Sequence, residues 1–360
     1  MKKKLLVLIM SGVMLGTALN SNPLCLAAEQ ESNTAVAYGD VDKASLTSEQ
    51  IHAVNVFLEN GYDESQISNF TMGFIENLAQ DLESDPSKVE INTQVCSFDE
   101  VKNVEAAVNM SEEELVDKGG MSRAQAASIK KQIKSLQKMK RSDKKEQYNM
   151  SDAEVTVLDK ALKPQKNYEP YKNVSEKVTL SSNISSSKLM YSQAVTNFST
   201  SKNPLYKVAI CFHWLECYYW GEFSDKVAVA WGGGLNYNTP RLKNIDYSEV
   251  YGIWPAYTWS SSIYGSKSPS ANETPNVGVT YTFPQTYNKS LSCIARAKAG
   301  EFVFNISNSK LEGKSSSVIS KYCHKIVGNG GVSISATPAI NVTGQYDVTD
   351  TDNARNKITY

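Results

Sequence analysis

The chain has only three histidines and six cysteines in 360 residues. No CxxC, HxH or HExxH spacing occurs, so the local patterns that hold structural zinc or build a zinc peptidase are absent. There is no GxSxG elbow and no GxxxxGK loop, which removes the hydrolase nucleophile turn and the phosphate-cradling loop. SxxK occurs as SSSK ending at Lys188 and SNSK ending at Lys310, but no KTG accompanies it, and a chain rich in Ser and Lys contains such tetrads by chance. These absences predict no metal and no cofactor. Charge of one sign is also lacking, with 37 Lys and Arg against 38 Asp and Glu. Beyond Leu19 no apolar run approaches the roughly 20 residues a membrane-spanning helix needs, so no stable span is expected.

The apolar run that does exist is at the start. Lys2, Lys3 and Lys4 precede an apolar stretch over residues 5–19, and Ala27 and Ala28 close a small-residue region. This order reads as a secretory signal peptide over residues 1–28, cleaved near Ala28. Ser11, Gly12, Gly16 and Thr17 interrupt the stretch and argue against a retained anchor. Leu24 is too large to precede a lipid-bearing Cys25. The tail NARNKITY is neither hydrophobic nor a wall-sorting signal. Loss of the leader's three lysines moves the net charge from −1 to −4. The expectation is a secreted, soluble protein of about two domains.

Two kinds of local pattern follow. Residues 29–45 are polar and aperiodic and read as a flexible leader. Over residues 46–162 one helix-start pattern recurs, in LTSEQI, YDESQI, MSEEEL, MSRAQA and MSDAEV. Thr47, Asp63, Ser111, Ser122 or Ser151 can cap the first turn, while Gln50, Gln66, Glu114, Gln125 or Glu154 reaches back to the cap. Asn60-Gly61 and Gly119-Gly120 are helix stops. In the helix after Ser122, Ala126, Ile129, Ile133 and Leu136 form an apolar stripe, and residues 123–145 carry nine bases against one acid. Such a helix either docks on an anionic polymer or lipid, or buries its stripe and solvates its lysines. Nucleic acid is not an expected partner, since the run has no aromatic residue and the protein is read as exported.

Residues 163–174, with two prolines, form the linker. Residues 175–360 alternate with period two and are punctuated by SKNP, WGGG, SKSPSANETPN and GNGG, which predicts many antiparallel strands. The fold class is α+β as two segregated regions: a short-helix N-terminal domain, then an antiparallel β-sandwich or barrel-like C-terminal domain.

AICFHWLECYYW (209–220) is the densest chemical stretch. As a strand it directs Val208, Ile210, Phe212 and Trp214 to a core face, and Ala209, Cys211, His213, Leu215 and Cys217 to the other. Cys211 and Cys217 would stand about 20 Å apart, beyond disulfide or shared-metal reach. They are expected to pair with Cys293 and Cys323 across strands, leaving Cys96 unpaired; the alternative is reduced, buried thiols. Adjacent Cys323 and His324 point to opposite faces, so they do not form a nucleophile pair. Trp220, Trp254 and Trp259, with Tyr218 and Tyr257, sit in turn-like sequence. Exposed, they would form a stacking platform for a ligand; buried, they are core.

FHWLECYYWGEFSDKVAVAW, KYCHKIVGNGGVSISATPAI and the MSEEEL-type boxes resemble a group of secreted Gram-positive bacterial proteins to which no biochemical function is assigned. The resemblance implies a secreted two-part protein and carries over no catalytic residue. The favoured function is non-catalytic binding outside the cell, to a carbohydrate or an anionic wall polymer. The alternatives are a membrane-active β protein, suggested by the Ser/Thr-rich stretch 179–201, and a hydrolase with a dispersed acid site; Glu216, Glu222 and Asp225 lie near aromatics, but nothing in the sequence raises them above surface acids.

Overall fold

A computed structural model describes residues 35–99, 101–117, 123–148, 152–166, 186–200, 204–218, 223–231, 234–238, 242–253, 256–289, 294–308, 315–335, 337–349 and 355–359. The stretch expected to be a signal peptide, residues 1–28, lies outside them. The part of the leader that is described is not loose. Ala35, Val36, Ala37 and Tyr38 are buried, and Tyr38 N donates to Phe70 O while Met72 N donates to Val36 O. These four small or apolar residues form the buried strip of an otherwise polar segment.

Helix α1 (Ser48–Glu59) begins at the Thr47–Gln50 capping box and α2 (Glu64–Ile67) at the Asp63–Gln66 box. Gly61, at φ 88°, ends α1. Gly61 N donates to Leu58 O and Tyr62 N to Phe57 O, a Schellman closure. The Phe57 and Tyr62 rings seal it 5.2 Å apart. α3 (Met72–Ser84) starts at Thr71, whose Oγ1 accepts from Phe74 N.

The chain then departs from the helical expectation. Residues of β1 (Val89–Asp99) form a strand inside the stretch expected to be all helical. Helices resume with α4 (Val101–Asn109), α5 (Glu112–Asp117), α6 (Arg123–Lys138), α7 (Arg141–Tyr148) and α8 (Asp152–Ala161). The Ser111–Glu114 box forms in both directions; Ser122 and Ser151 lie outside the described residues. Ala126, Ile129, Ile133 and Leu136 are all buried, packed with Val104, Met110, Leu115, Val155, Leu158 and Phe223. The apolar stripe of α6 is therefore core, and lipid docking through it is excluded.

The remaining strands are β2 (Ser186–Asn197), β3 (Leu205–Trp214), β4 (Ser224–Ala230), β5 (Asn236–Tyr237), β6 (Leu242–Ile253), β7 (Ala256–Lys267) and β8 (Ser270–Thr274). They continue as β9 (Gly278–Pro284), β10 (Thr286–Lys289), β11 (Ile294–Ser307), β12 (Ser315–Ser335), β13 (Ala339–Val348) and β14 (Arg355–Thr359). All named pairings are antiparallel and make two open sheets, β1-β2-β3-β11-β6-β7 and β13-β12-β4-β9-β8. β1 pairs with β2 along its whole length, from Val89↔Thr196 to Asp99↔Ser186.

The sheets face each other. Between them lie Tyr191, Val208, Ile210, Phe212, Trp214 and Phe302 from the first sheet, and Val227, Val229, Tyr281, Phe283, Val318 and Tyr322 from the second. The opposite face of the first sheet is a second core. Met190, Ala194, Ala209, Cys211 and Val303 pack there against Phe57, Phe70, Phe74, Ile75 and Leu78 of the first helices. β3 is accordingly buried on both faces. The protein is an α+β molecule whose first helices close one face of an antiparallel sandwich.

Candidate functional site

Three groupings of polar side chains stand out; among the described residues the first is enclosed, while Asp40 of the second is exposed. The first surrounds Asp225 inside the sandwich. Its carboxylate accepts from Gln285 Nε2 (2.6 Å), Lys325 N (2.9 Å) and Tyr322 Oη (2.6 Å), and His324 Nδ1 lies 3.0 Å away. Trp214 Nε1 donates to Tyr322 Oη at 3.1 Å. The His324 ring is caged by Phe98, Trp214 and Tyr218. Asp225 and His324 are each 0% exposed. Among the described residues this His–Asp pair is enclosed, and it orders the core.

The second grouping lies on the helix-covered face of the first sheet. Asp40 meets His213 Nε2 at 3.1 Å and Lys298 Nζ at 2.6 Å. Burial alone would raise the Asp40 carboxyl, but these two partners outweigh it and hold it at about 2. Ala35 N donates to Asp246 Oδ1 at 3.1 Å, and burial pushes the Asp246 carboxyl up to about 6. Glu301, cross-strand from Cys211 on β3 and Asn244 on β6, sits beneath the first turn of α3. Its burial raises its carboxyl to about 8. These side chains fasten the N-terminal segment to the sheet.

The third grouping is open. α3 is pinned across the end of β2 and β3 by a buried ion pair between Lys207 and Asp81. Thr196 Oγ1 donates to Asp81 at 2.7 Å, and Lys207 Nζ donates to Asn77 O at 2.6 Å. Beside this pin is a cleft of about 640 Å³ lined by Glu76, Asn77, Gln80, Ser84, Phe198 and Asn305, among others. Glu76, Gln80 and Ser84 recur every four residues, so they share one helical face. Phe198 stands at the β2–β3 turn with 41% of its surface exposed. Its position is fixed by Phe198 N to Leu205 O (2.9 Å) and Leu205 N to Ser199 Oγ (3.0 Å). Asn305 Oδ1 is buried without a hydrogen-bond partner among the described residues. An aromatic face rimmed by three amides, a carboxylate and a hydroxyl suits a ligand with an apolar face and hydroxyl edges.

Of the sequence-derived platform, only the side chains of Tyr218 and Trp259 are described, with ring centroids 6.0 Å apart. Tyr218 is 0% exposed; its hydroxyl donates to Gln285 O (2.9 Å) and Ala297 O (3.1 Å), and its ring lies 4.8 Å from Trp214. The turn after β3 folds back over the sandwich, so Tyr218 is core. Trp259 is partly buried against the same core. Trp220, Trp254 and the side chain of Tyr257 lie outside the described residues. Trp214 is core, as its strand parity predicts.

The cysteine expectation changes as well. No disulfide joins any two of Cys96, Cys211, Cys217 and Cys323; Cys293 is outside the described residues. Cys211 faces the helices, while Cys323 alternates with inward-facing Tyr322 and His324 and so points away from the sandwich. Two packed sheets separate these thiols by more than a disulfide can span. Burial raises the Cys211 thiol above its usual range and Cys323 to about 12, which makes both poor nucleophiles.

Of the three acids near the aromatics, two are described. Asp225 is internal, Glu216 pairs with Lys188 at 2.8 Å, and Glu222 is outside the described residues. β2, the described part of the stretch considered for membrane insertion, lies between β1 and β3 with Leu189 to Thr196 buried. No described helix is long and apolar enough to cross a membrane, and no three described His, Cys, Asp or Glu side chains converge as metal ligands.

Sequence had no means of marking Phe198. VTNFSTSKNP reads as a turn with one aromatic residue, and only the arrival of α3 makes that ring the floor of a cleft.

Comparison with known proteins adds little. No family model matches the chain, and no curated protein matches it. Solved structures with some likeness include a "Pore forming protein" (9% identity, covering 48% of this chain and 84% of that one, TM-score 0.22). Clostridium perfringens delta-toxin is similar at 7% identity, covering 48% of this chain and 89% of that one, with TM-score 0.24. The collagen adhesin CNA from S. aureus is similar at 12% identity, covering 48% and 65%, with TM-score 0.20. Likenesses at this level assign neither fold nor function. These comparisons assign the chain to no family, and its function is read from its own geometry.

Proposed function

We propose that this chain is an exported, non-catalytic binding protein that takes a saccharide in the cleft between α3 and the β2–β3 turn. The observation that supports it is an exposed phenyl ring that lines one cleft with Asn77, Gln80, Glu76 and Asn305. A sugar ring presents an apolar C–H face to an aromatic side chain and hydroxyls to amides and carboxylates. Phe198 supplies the first contact. Asn77, Gln80 and Asn305 supply donors and acceptors from the same cleft lining. The Lys207–Asp81 pair keeps the helix wall from moving. The extracellular setting follows the reading of residues 1–28 as a leader removed near Ala28, and the ligand class follows the cleft.

The test is direct titration of the mature protein with a panel of neutral oligosaccharides, followed by Phe198→Ala. Loss of a central aromatic anchor weakens binding by about 2 kcal/mol, roughly thirtyfold in Kd. The melting temperature should hold, because the ring is already 41% exposed. Equal affinity in the variant, or no saccharide binding by the wild type, overturns the reading. Dye release from vesicles without saccharide binding would turn the assignment to membrane activity.

A further inference from the structure

The charge on this chain is segregated. Residues 123–166 carry twelve Lys and Arg against five Asp and Glu, a net +7, while the remainder carries −8. With the apolar stripe of α6 buried, Lys131, Lys134 and Lys138 are exposed on the opposite side of the helix. They recur at three- and four-residue spacing, so they form one line about 10 Å long. No acid among the described residues pairs with any of the three.

The line leads to a cleft of about 680 Å³ between the end of α6, α7 and α8, lined by Gln137, Arg141, Lys144, Asp159, Lys160 and Lys163 among others. Asp159 is shared: Arg141 Nη1 lies 2.9 Å from one oxygen and Lys144 Nζ 2.5 Å from the other. Lys144 is only 4% exposed, so its ammonium is built into the wall. Lys160 and Lys163 are exposed at the rim, and no described carboxylate pairs with either. Four cations against one carboxylate leave about +3 in a recess one anionic group can enter.

We propose that this cleft binds a phosphate group of a soluble polyanion, whose further phosphates run along Lys131, Lys134 and Lys138. Lysine ammoniums bind phosphate as point charges, and the Arg141 guanidinium is held in place by Asp159, Asp152 O and Thr156. The face lacks what two competing partners need. The apolar residues that would enter a bilayer are buried in the helical core. Residues 123–145 contain no aromatic ring on which a nucleobase could stack. The site is separate from the α3 cleft, and either can fail without the other.

The experiment uses the full mature chain and inorganic polyphosphate as probe at about 150 mM salt. Polyglutamate, anionic vesicles and a single-stranded oligonucleotide serve as comparison ligands. The double variant Lys160→Ala/Lys163→Ala removes the rim, and the triple variant Lys131→Ala/Lys134→Ala/Lys138→Ala removes the line. All five side chains are exposed, and circular dichroism with thermal melting confirms folding. The wild type should bind polyphosphate more tightly than the other three ligands. Each variant should weaken it at least tenfold and reduce the slope of log K against log salt by about 1 or more. Polyphosphate binding that is absent in the wild type or unchanged in the variants overturns the proposal. So does equal or tighter binding of polyglutamate, vesicles or the oligonucleotide.

Discussion

Glu301→Gln should flatten the dependence of stability on pH. The Glu301 carboxyl is 1% exposed. It lies so near the start of α3 that a Cβ on Gly73 would come within 2.5 Å of its oxygens. One of those oxygens, Oε2, is buried without a hydrogen-bond partner among the described residues. Burial raises the group from 4.5 to about 8, against a hydrogen bond with Thr71; the nearby Asp246 and Glu76 charges add smaller upward pushes, and Phe74 N a lesser opposing one. The folded protein therefore holds this proton more tightly than the unfolded chain does. Its contribution is intact below pH 4.5, is lost progressively as pH rises, and is fully lost above about 8. At about 1.4 kcal/mol per unit, the loss between pH 5 and 9 is about 4 kcal/mol. Against a total of about 5–15 kcal/mol this is a large share, on the order of 10 °C in melting temperature. Glutamine keeps the shape and cannot ionise. At pH 5 the variant should match the wild type within about 1 kcal/mol; at pH 9 it should be the more stable of the two. Asp246, raised from 3.8 to about 6, should leave a residual slope between those values. Thermal melts at five pH values decide it: parallel profiles for wild type and variant refute the account of a buried, neutral Glu301.

Three further outcomes are expected. Asp225→Ala leaves the Gln285, Lys325, Tyr322 and His324 donors buried without their acceptor, and should cost about 3–5 kcal/mol in chemical denaturation; a loss under 1 kcal/mol would mean that water enters the network. Cys211 and Cys323 should resist iodoacetamide at pH 8 in the native protein and react fully in guanidinium, as read by peptide mass spectrometry; modification within minutes under native conditions would contradict their burial. Gly278→Ala places a Cβ against the Val229 carbonyl oxygen and within 2.9 Å of Ile334 side-chain carbons, and should destabilise by about 1–3 kcal/mol, a value that urea unfolding measures directly.

Local grammar was the readable part of this sequence. Thr47, Asp63 and Ser111 cap helices because a short polar side chain before a Gln or Glu three residues on satisfies free amides whatever the tertiary setting. The inward parity of Val208, Ile210, Phe212 and Trp214 was legible for the same reason. What failed to show was the second use of a surface. The other side of β3 carries Lys207 and His213, which look like solvent-facing residues until Asp81 and Asp40 arrive from the N-terminal segment. β1 was hidden because VEINTQVCSFD lies between helices, and its partner strand is a hundred residues away. The candidate cleft was illegible for a related reason, since Phe198 and Asn77 belong to no common motif. The basic line on α6 was visible, but only the burial of its apolar stripe showed which face remains available.

The pairing of β1 with β2 has a topological consequence. Asp99 and Ser186 are cross-strand neighbours, so residues 100–185 leave and re-enter the body at a single point about 5 Å wide. The helices α4 to α8 are thus carried as an insertion in the loop of a β-hairpin, and the body consists of residues 35–99 and 186–360. A two-residue turn could replace the insertion without moving a strand. Shortening the loop from 86 residues would lower its closure entropy by about 3 kcal/mol, at the expense of uncovering Phe223. Such a graft would deliver the sandwich without its basic helices, and the site between the first helices and the sheet would travel with the body.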